Sequence, residues 1–323
     1  MKQFKALKVV VTGGAGFIGS HLVERLLALG TEVTVIDNFL HGSKIEHLGG
    51  HQSLSVQEGD IRDIRAVSHA LQDKNVVFHL AACVGVEETQ MSPSEVLDVE
   101  IRGTCNVLSV AANSGIERVI FGSSSEVYGD SPEPMKEEGH LSPKSTYAIA
   151  KLVGEEYCKA FHQKHGLAYT CLRYFNVYGP RQDERFVISR FVNRVLSHQP
   201  ILIYGDGKQS RDFTYVDDAV NMSLLAGVKL DTICQTINIG TGAMSTINDV
   251  ANIVANTLDN EKDVKTEYIH YNNSRPREVE VFTRCASTSR ANNLLQYEPK
   301  IDLYSGIAEH INWYMERFHD KAG

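Results

Sequence analysis

Tyr147 and Lys151 stand four residues apart in Ser145-Thr146-Tyr147-Ala148-Ile149-Ala150-Lys151. On a helix that spacing puts a phenol and an ammonium on one face, one turn apart. Together they make a proton-transfer pair, because the nearby positive charge favours phenolate and lowers the tyrosine's pKa toward neutrality. The spacing predicts a helix whose other face carries Ile149, Leu152, Val153, Tyr157, Ala160 and Phe161. The same pattern fits an ordinary helix with its tyrosine and lysine toward solvent. The upstream residues decide between them.

Val9-Val10-Val11 reads as a short buried strand, followed at once by Thr12-Gly13-Gly14-Ala15-Gly16-Phe17-Ile18-Gly19 and a helix that stops at Gly30. A strand, glycine-rich turn and helix in this order is the setting of dinucleotide binding. Gly13 makes the tight turn, Gly16 lets the backbone approach a pyrophosphate, and Gly19 permits close helix–strand packing. A second strand over 32–36 ends in Asp37, at the distance expected of an acid that binds a ribose 2′-hydroxyl. No arginine follows in residues 38–43, which favours NAD over NADP. A plain strand–turn–helix without ligand is the alternative.

The alternation continues through strands at 54–56, 76–80 and 119–121, with helices over 63–71 and 94–114 between them. Such alternation predicts a Rossmann-type, doubly wound parallel sheet with its ligand at the strands' carboxyl ends. The chain has 323 residues, of which 42% are hydrophobic and 22% charged, the balance of an ordinary globular protein. A formal charge of −8 without a basic block disfavours nucleic acid and anionic membranes as partners. The six cysteines show no Cys-x-x-Cys and no metal-ligand spacing, and read as reduced thiols. With no signal-peptide pattern at the start and no run of transmembrane length, the expectation is a cytoplasmic protein that holds no metal.

Gly122-Ser123-Ser124-Ser125-Glu126-Val127-Tyr128-Gly129 makes a resemblance specific. With Thr12–Gly19, Asp60, His79-Leu80-Ala81-Ala82 and the Tyr147/Lys151 pair, it resembles the extended short-chain dehydrogenase/reductase superfamily. Within it the chain is similar to the NAD-dependent nucleotide-sugar epimerases, dehydratases and decarboxylases, over nearly its whole length. The resemblance implies that Ser124 bonds the sugar hydroxyl being oxidised, that Tyr147 is the base, and that Lys151 also holds the nicotinamide ribose. It implies NAD contacts from Gly13, Gly16, Phe17, Ile18, Asp37, Asn38, Asp60, Ile61, Leu80, Ala81, Ala82, Ser123, Tyr174, Asn176 and Val177. For the nucleotide sugar it implies Val86, Ser124, Asn176, Arg181, Tyr204, Arg211, Arg275, Glu278 and Arg284. Arg211 would clamp phosphate, Arg275 the diphosphate, and Glu278 the nucleotide ribose. Arginine suits an anion because its planar fork donates two hydrogen bonds. Arg277 and Glu278 depart from the usual Gly-Asp of the late motif. The implied organisation is an NAD-binding domain over 1–175 and a smaller α/β nucleotide-sugar lobe over 176–323, with strands interleaved, in a homodimer.

The implied reaction begins with removal of hydride from a sugar carbon, giving a 4-keto sugar. Epimerisation, dehydration or decarboxylation then diverge, and Glu126 is the discriminating residue. Simple hexose 4-epimerases do not need an acid there, whereas the dehydratases and uronate decarboxylases of the family carry Glu. Ser125 stands where the dTDP-glucose dehydratases have Asp. Ser124-Ser125-Glu126 is closer to the GDP-mannose dehydratases and UDP-glucuronate decarboxylases, and Arg284 falls where the decarboxylases place a catalytic arginine. Residues 173–182 and Arg275-Pro276 look more like the 4-epimerases, so 4-epimerisation of a UDP-sugar is the leading expectation. A structural carboxylate at 126, a dehydrogenase that releases NADH, and an NAD-bound protein without catalysis are the alternatives.

Overall fold

The computed structural model describes residues 2–258, 264–271 and 276–322. The first half runs β1 (Lys8–Thr12), α1 (Phe17–Ala28), β2 (Glu32–Asp37), β3 (Leu54–Glu58), α2 (Ile64–Leu71), β4 (Val76–His79), α3 (Val86–Met91), α4 (Pro93–Leu97), α5 (Thr104–Asn113), β5 (Arg118–Ser124), α6 (Thr146–His165) and β6 (Ala168–Tyr174). The second adds β7 (Val177–Tyr178), α7 (Val187–Leu196), β8 (Ile201–Tyr204), β9 (Ser210–Arg211), β10 (Thr214–Tyr215), α8 (Val216–Val228), β11 (Gln235–Ile239), β12 (Ser245–Thr246), α9 (Ile247–Leu258), β13 (Thr266–Ile269), α10 (Ser289–Leu295) and α11 (Leu303–Ala322).

Seven strands form one parallel sheet in the order β11-β6-β5-β4-β1-β2-β3. The expected doubly wound sheet is therefore present. Val9, Val10 and Val11 are all fully buried, because helices cover both faces of a parallel sheet. Val9 and Val11 join the core shared with α1 and α8, while Val10 faces the core of α2 and α5. The chain winds from β1 toward β3, then returns to β4 on the other side of β1. That reversal opens a crevice at the carboxyl ends of β1 and β4. The last strand, β11, comes from the second half and pairs with β6 from Gln235↔Thr170 to Ile239↔Tyr174.

Two local expectations change. The helix expected over 94–114 is broken by a π-helical stretch at Asp98–Gly103 between α4 and α5. On α6, the buried residues are Ala148, Ala150, Lys151, Gly154, Glu155 and Cys158, whereas Ile149 is 47% exposed. Small residues win the inward face because α6 lies close on β5: a Cβ on Gly154 would sit 2.3 Å from the Phe121 ring. The two inward charges are each paired, as described below.

Candidate active site

The turn after β1 is built by steric demand. Gly13 has φ +68°, and a Cβ there would lie 2.7 Å from the Ala81 backbone. A Cβ on Gly19 would meet the Gly13 carbonyl at 2.2 Å, which locks the first turn of α1 against the loop. Gly16 is different: a Cβ there would approach only the Gly13 carbonyl, at 3.2 Å, so its other side is open. Gly16 caps α1 without a side-chain hydrogen bond, so the N–H groups of Phe17 and Ile18 belong to an uncapped helix start suited to an anion. Asp37 accepts from Ala15 N–H at 3.0 Å and from Phe39 N–H at 2.9 Å, which sets its carboxylate beside this turn. Asp60 pairs with Arg62 at 2.7 Å, and that hydrogen bond holds its carboxyl below the usual range, with a smaller contribution from Asn38. Ile61 fills the space that a side chain at Gly103 would need. Leu80, Ala81 and Ala82 follow β4 and are partly buried at the crevice.

At the end of β5, Ser124 hydrogen-bonds the Tyr147 hydroxyl and accepts from Glu126 N–H at 3.2 Å. Lys151 is buried with its Nζ 2.9 Å from Glu100 Oε2, 5.2 Å from the Phe121 ring centre and 5.6 Å from that of Tyr147. Glu100 Oε1 also accepts from Cys83 N–H at 2.9 Å. The expected lowering of the tyrosine's pKa is overturned. Burial, then the carboxylates of Glu100 and Glu126, hold the Tyr147 phenol well above its ordinary value. Glu100, paired with Lys151, opposes the lysine's charge at the phenol. Burial likewise raises the carboxyl of Glu100, against the pull of Lys151. His79, fully buried between Thr12 and Thr104 at 2.7 and 3.0 Å, is lowered to about 3 by burial and by Lys151. It is a neutral strut.

Glu126 and Arg284 are brought together although 157 residues of chain lie between them (127–283). Arg284 Nη1 is 3.8 Å from Glu126 Oε1, and Ser145 Oγ donates to Glu126 Oε2 at 3.1 Å. Ser145 also caps α6, accepting from Ala148 N–H at 3.1 Å, so Glu126 is tied to the helix that carries Tyr147. Arg284 is buried, and its Nε has no hydrogen-bond partner among the described residues. Its segment is fixed by Asp212, whose N–H donates to Arg284 O at 2.9 Å. The Asp212 carboxylate accepts from Thr241, Gly242 and Ala286.

Residues 9–240 match the model of the NAD dependent epimerase/dehydratase family. The chain belongs to that family. It is similar to the UDP-N-acetyl-alpha-D-glucosaminuronate decarboxylase of Bacillus cytotoxicus, 34% identical with 97% of this chain and 99% of that protein covered. Among solved structures it is similar to the UDP-N-acetylglucosamine 4-epimerase of Methanobrevibacter ruminantium, solved with UDP-N-acetylmuramic acid. That chain is 36% identical, with 96% of this chain and 99% of that one covered and a TM-score of 0.87. The UDP-glucuronic acid 4-epimerase of Bacillus cereus, solved with a fluorinated UDP-glucuronic acid and NAD, is 31% identical. There 96% of this chain and all of that one are covered, and the TM-score is 0.90. As a member of this family the protein is an NAD-dependent enzyme. Its open glycine turn, uncapped helix start and Asp37 fit that cofactor.

Other expected site residues of this family member are placed less simply. Ser123 turns its hydroxyl away, donating to Glu155 Oε1 at 2.5 Å. Glu155 in turn makes a two-pronged pair with Arg173, at 2.9 and 2.7 Å, with all three residues buried. Tyr174 is bonded to Ser223 at 2.8 Å, and Val177 is buried in the core. Asn176, at φ +32°, donates to Asp212 O at 3.0 Å. Arg181 departs from expectation. It pairs with Glu24 on α1, in a cleft that also holds His21, His47 and Asp217. Arg211 is likewise not a free phosphate clamp: it pairs with Glu280 and donates to the carbonyls of Ser210 and Phe282. Tyr204 stacks on Tyr271, with ring centres 6.0 Å apart. Glu278 is exposed on the turn Arg277–Val279. Val86 opens α3, and Arg275 lies outside the described residues.

Among the described residues no group of three or more His, Cys, Asp or Glu is arranged to hold a metal, and no helix is long and apolar enough to cross a membrane. All six cysteines are free thiols. Sequence reasoning missed Glu100, Glu155, Asp212 and Glu280. For Glu100 a signal existed: Val96, Glu100 and Thr104 are spaced by four, so an acid interrupts a buried helical face.

Proposed function

We propose that the enzyme oxidises C4 of a UDP-linked uronic sugar and then removes its C6 carboxylate as carbon dioxide. One observation carries this reading: the buried Arg284 guanidinium, its Nε without a partner among the described residues, stands beside Glu126 on the Tyr147 side of the crevice. A buried donor left unmade is costly, and a substrate carboxylate is the anion that would satisfy it. Bound NAD supplies the means of taking a hydride from the sugar and giving it back. Once ionised, Tyr147 takes the C4 hydroxyl proton while Ser124 holds that oxygen in line. Arg284 fixes the carboxylate so that the breaking C5–C6 bond lies parallel to the π system of the ketone, whose oxygen receives the electron pair. Glu126 orders a water that gives its proton to C5 of the enolate, and Tyr147 returns its proton to the C4 oxygen.

Residues 1–175 would hold the cofactor and 176–323 the nucleotide sugar. A homodimer would cover the apolar groove between α4 and α6, where Leu97 is 38% exposed and Tyr157 lines the wall. If Asp37 binds the cofactor ribose, Asp37→Ala should lower the NAD content of the purified protein with little loss of UDP affinity. Unchanged cofactor content would remove that assignment.

A second reading, 4-epimerisation without carbon loss, is favoured by the similarity to the M. ruminantium and B. cereus epimerases. Incubation with UDP-glucuronic acid, its N-acetylamino counterpart and neutral UDP-sugars, followed by product mass, separates the two. Loss of one carbon dioxide from a uronate, abolished in Arg284→Met, is the expected result. A new isomer of unchanged mass would establish the epimerase and make the Glu126–Arg284 contact structural.

A further inference from the structure

We propose that Glu100 is a positioning residue that holds the Lys151 ammonium and sets the pH at which Tyr147 releases its proton. The inference rests on Tyr147 being the proton acceptor of the proposed reaction, and it assigns a role to a carboxylate outside the sequence motifs. Glu100 is 1% exposed, and its two oxygens have distinct partners, Lys151 at 2.9 Å and the N–H of Cys83 at 2.9 Å. The second bond ties it to the strand-end loop after β4, so its position is fixed from two elements. Glu100 lies within the π-helical stretch Asp98–Gly103. A π turn adds a residue to the helical repeat and shifts the side chains that follow it, a device frequent at functional sites. Glu100 is on the inner wall, facing Lys151 of α6.

The electrostatic consequence follows from the groups around the phenol. From α6 comes Lys151, from the π stretch Glu100, from the turn after β5 Glu126, and from the loop after β4 the Cys83 thiol. His79 of β4, which also faces Lys151, is neutral. Lys151 is the one fixed cation among these neighbours, and its field at Tyr147 is opposed by Glu100. A lysine with no counter-charge would favour the phenolate; a lysine paired this closely favours it far less.

Titrating the phenolate absorbance of the NAD-bound protein tests this without substrate, so the result stands even if no uronate is converted. The chain has 13 tyrosines, so each background is read against its own Tyr147→Phe partner. In Glu100→Gln, which keeps the shape and one of the two acceptor oxygens, the Tyr147 titration should move down by about one pH unit or more. Glu100→Asp, which keeps the charge, should stay close to the parental curve. A Glu100→Gln curve that overlays the parental one, or an equal shift in Glu100→Asp, would overturn the proposal. Should Glu100→Gln not fold, Lys151→Met is compared with Lys151→Met/Glu100→Gln, in which neither buried charge remains. The single variant should titrate at higher pH than the double, and coincident curves would overturn the assignment.

Discussion

Tyr147→Phe is expected to reduce kcat by about 10²–10⁴-fold, the usual contribution of a positioned acid–base group. The substitution removes one oxygen that bonds Ser124 and leaves the ring against Lys151. Binding of UDP-sugar, measured by calorimetry on the NAD-bound protein, should therefore change little. That split is the diagnostic feature: an interaction made only in the transition state lowers kcat and leaves affinity alone. Turnover near the parental rate would end the role assigned to Tyr147, whichever product the enzyme makes.

The second large effect concerns stability. Glu155 and Arg173 form a buried two-pronged pair that joins α6 to β6, and Ser123 adds β5. Arg173 also donates to Glu137 O at 3.1 Å and lies over the Tyr128 ring, at 4.8 Å. Glu155→Ala strands a buried guanidinium, which costs about 3–5 kcal/mol. In a thermal scan this is a drop on the order of 5–10 °C. The double variant Glu155→Leu/Arg173→Met should recover most of the loss, because apolar groups of similar volume need no partner. A loss below about 1 kcal/mol in urea unfolding of Glu155→Ala would show that the pair contributes little to holding α6 in place.

The parts legible in the sequence are those whose signal is local. Gly13, Gly16 and Gly19 declare a turn because their spacing is set by one strand end and one helix start. Tyr147 and Lys151 declare a shared face because helical geometry alone puts them there. The field at Tyr147 was not legible, since its sign depends on Glu100, a third charge from a different element, and on burial. Arg181 and Arg211 look alike in sequence as free cations, yet each has a carboxylate partner, Glu24 and Glu280, that no spacing rule links to it. Arg284 gave the reverse case. Its meeting with Glu126 depends on Asp212 fastening residues 241–242 and 286 around one carboxylate, a convergence visible only once the chain is folded.

The position of β11 bears on how the protein is made. During synthesis β6 emerges while its outer partner is still unbuilt, because residues 175–234 must be added before β11 begins. At about 5–20 residues per second the nascent chain exposes an unpaired, apolar strand edge for several seconds. That interval is long compared with the folding of a helix or hairpin. The ribosome-bound chain is thus most open to wrong pairing, or to capture by a chaperone, just before its 235th residue clears the exit tunnel.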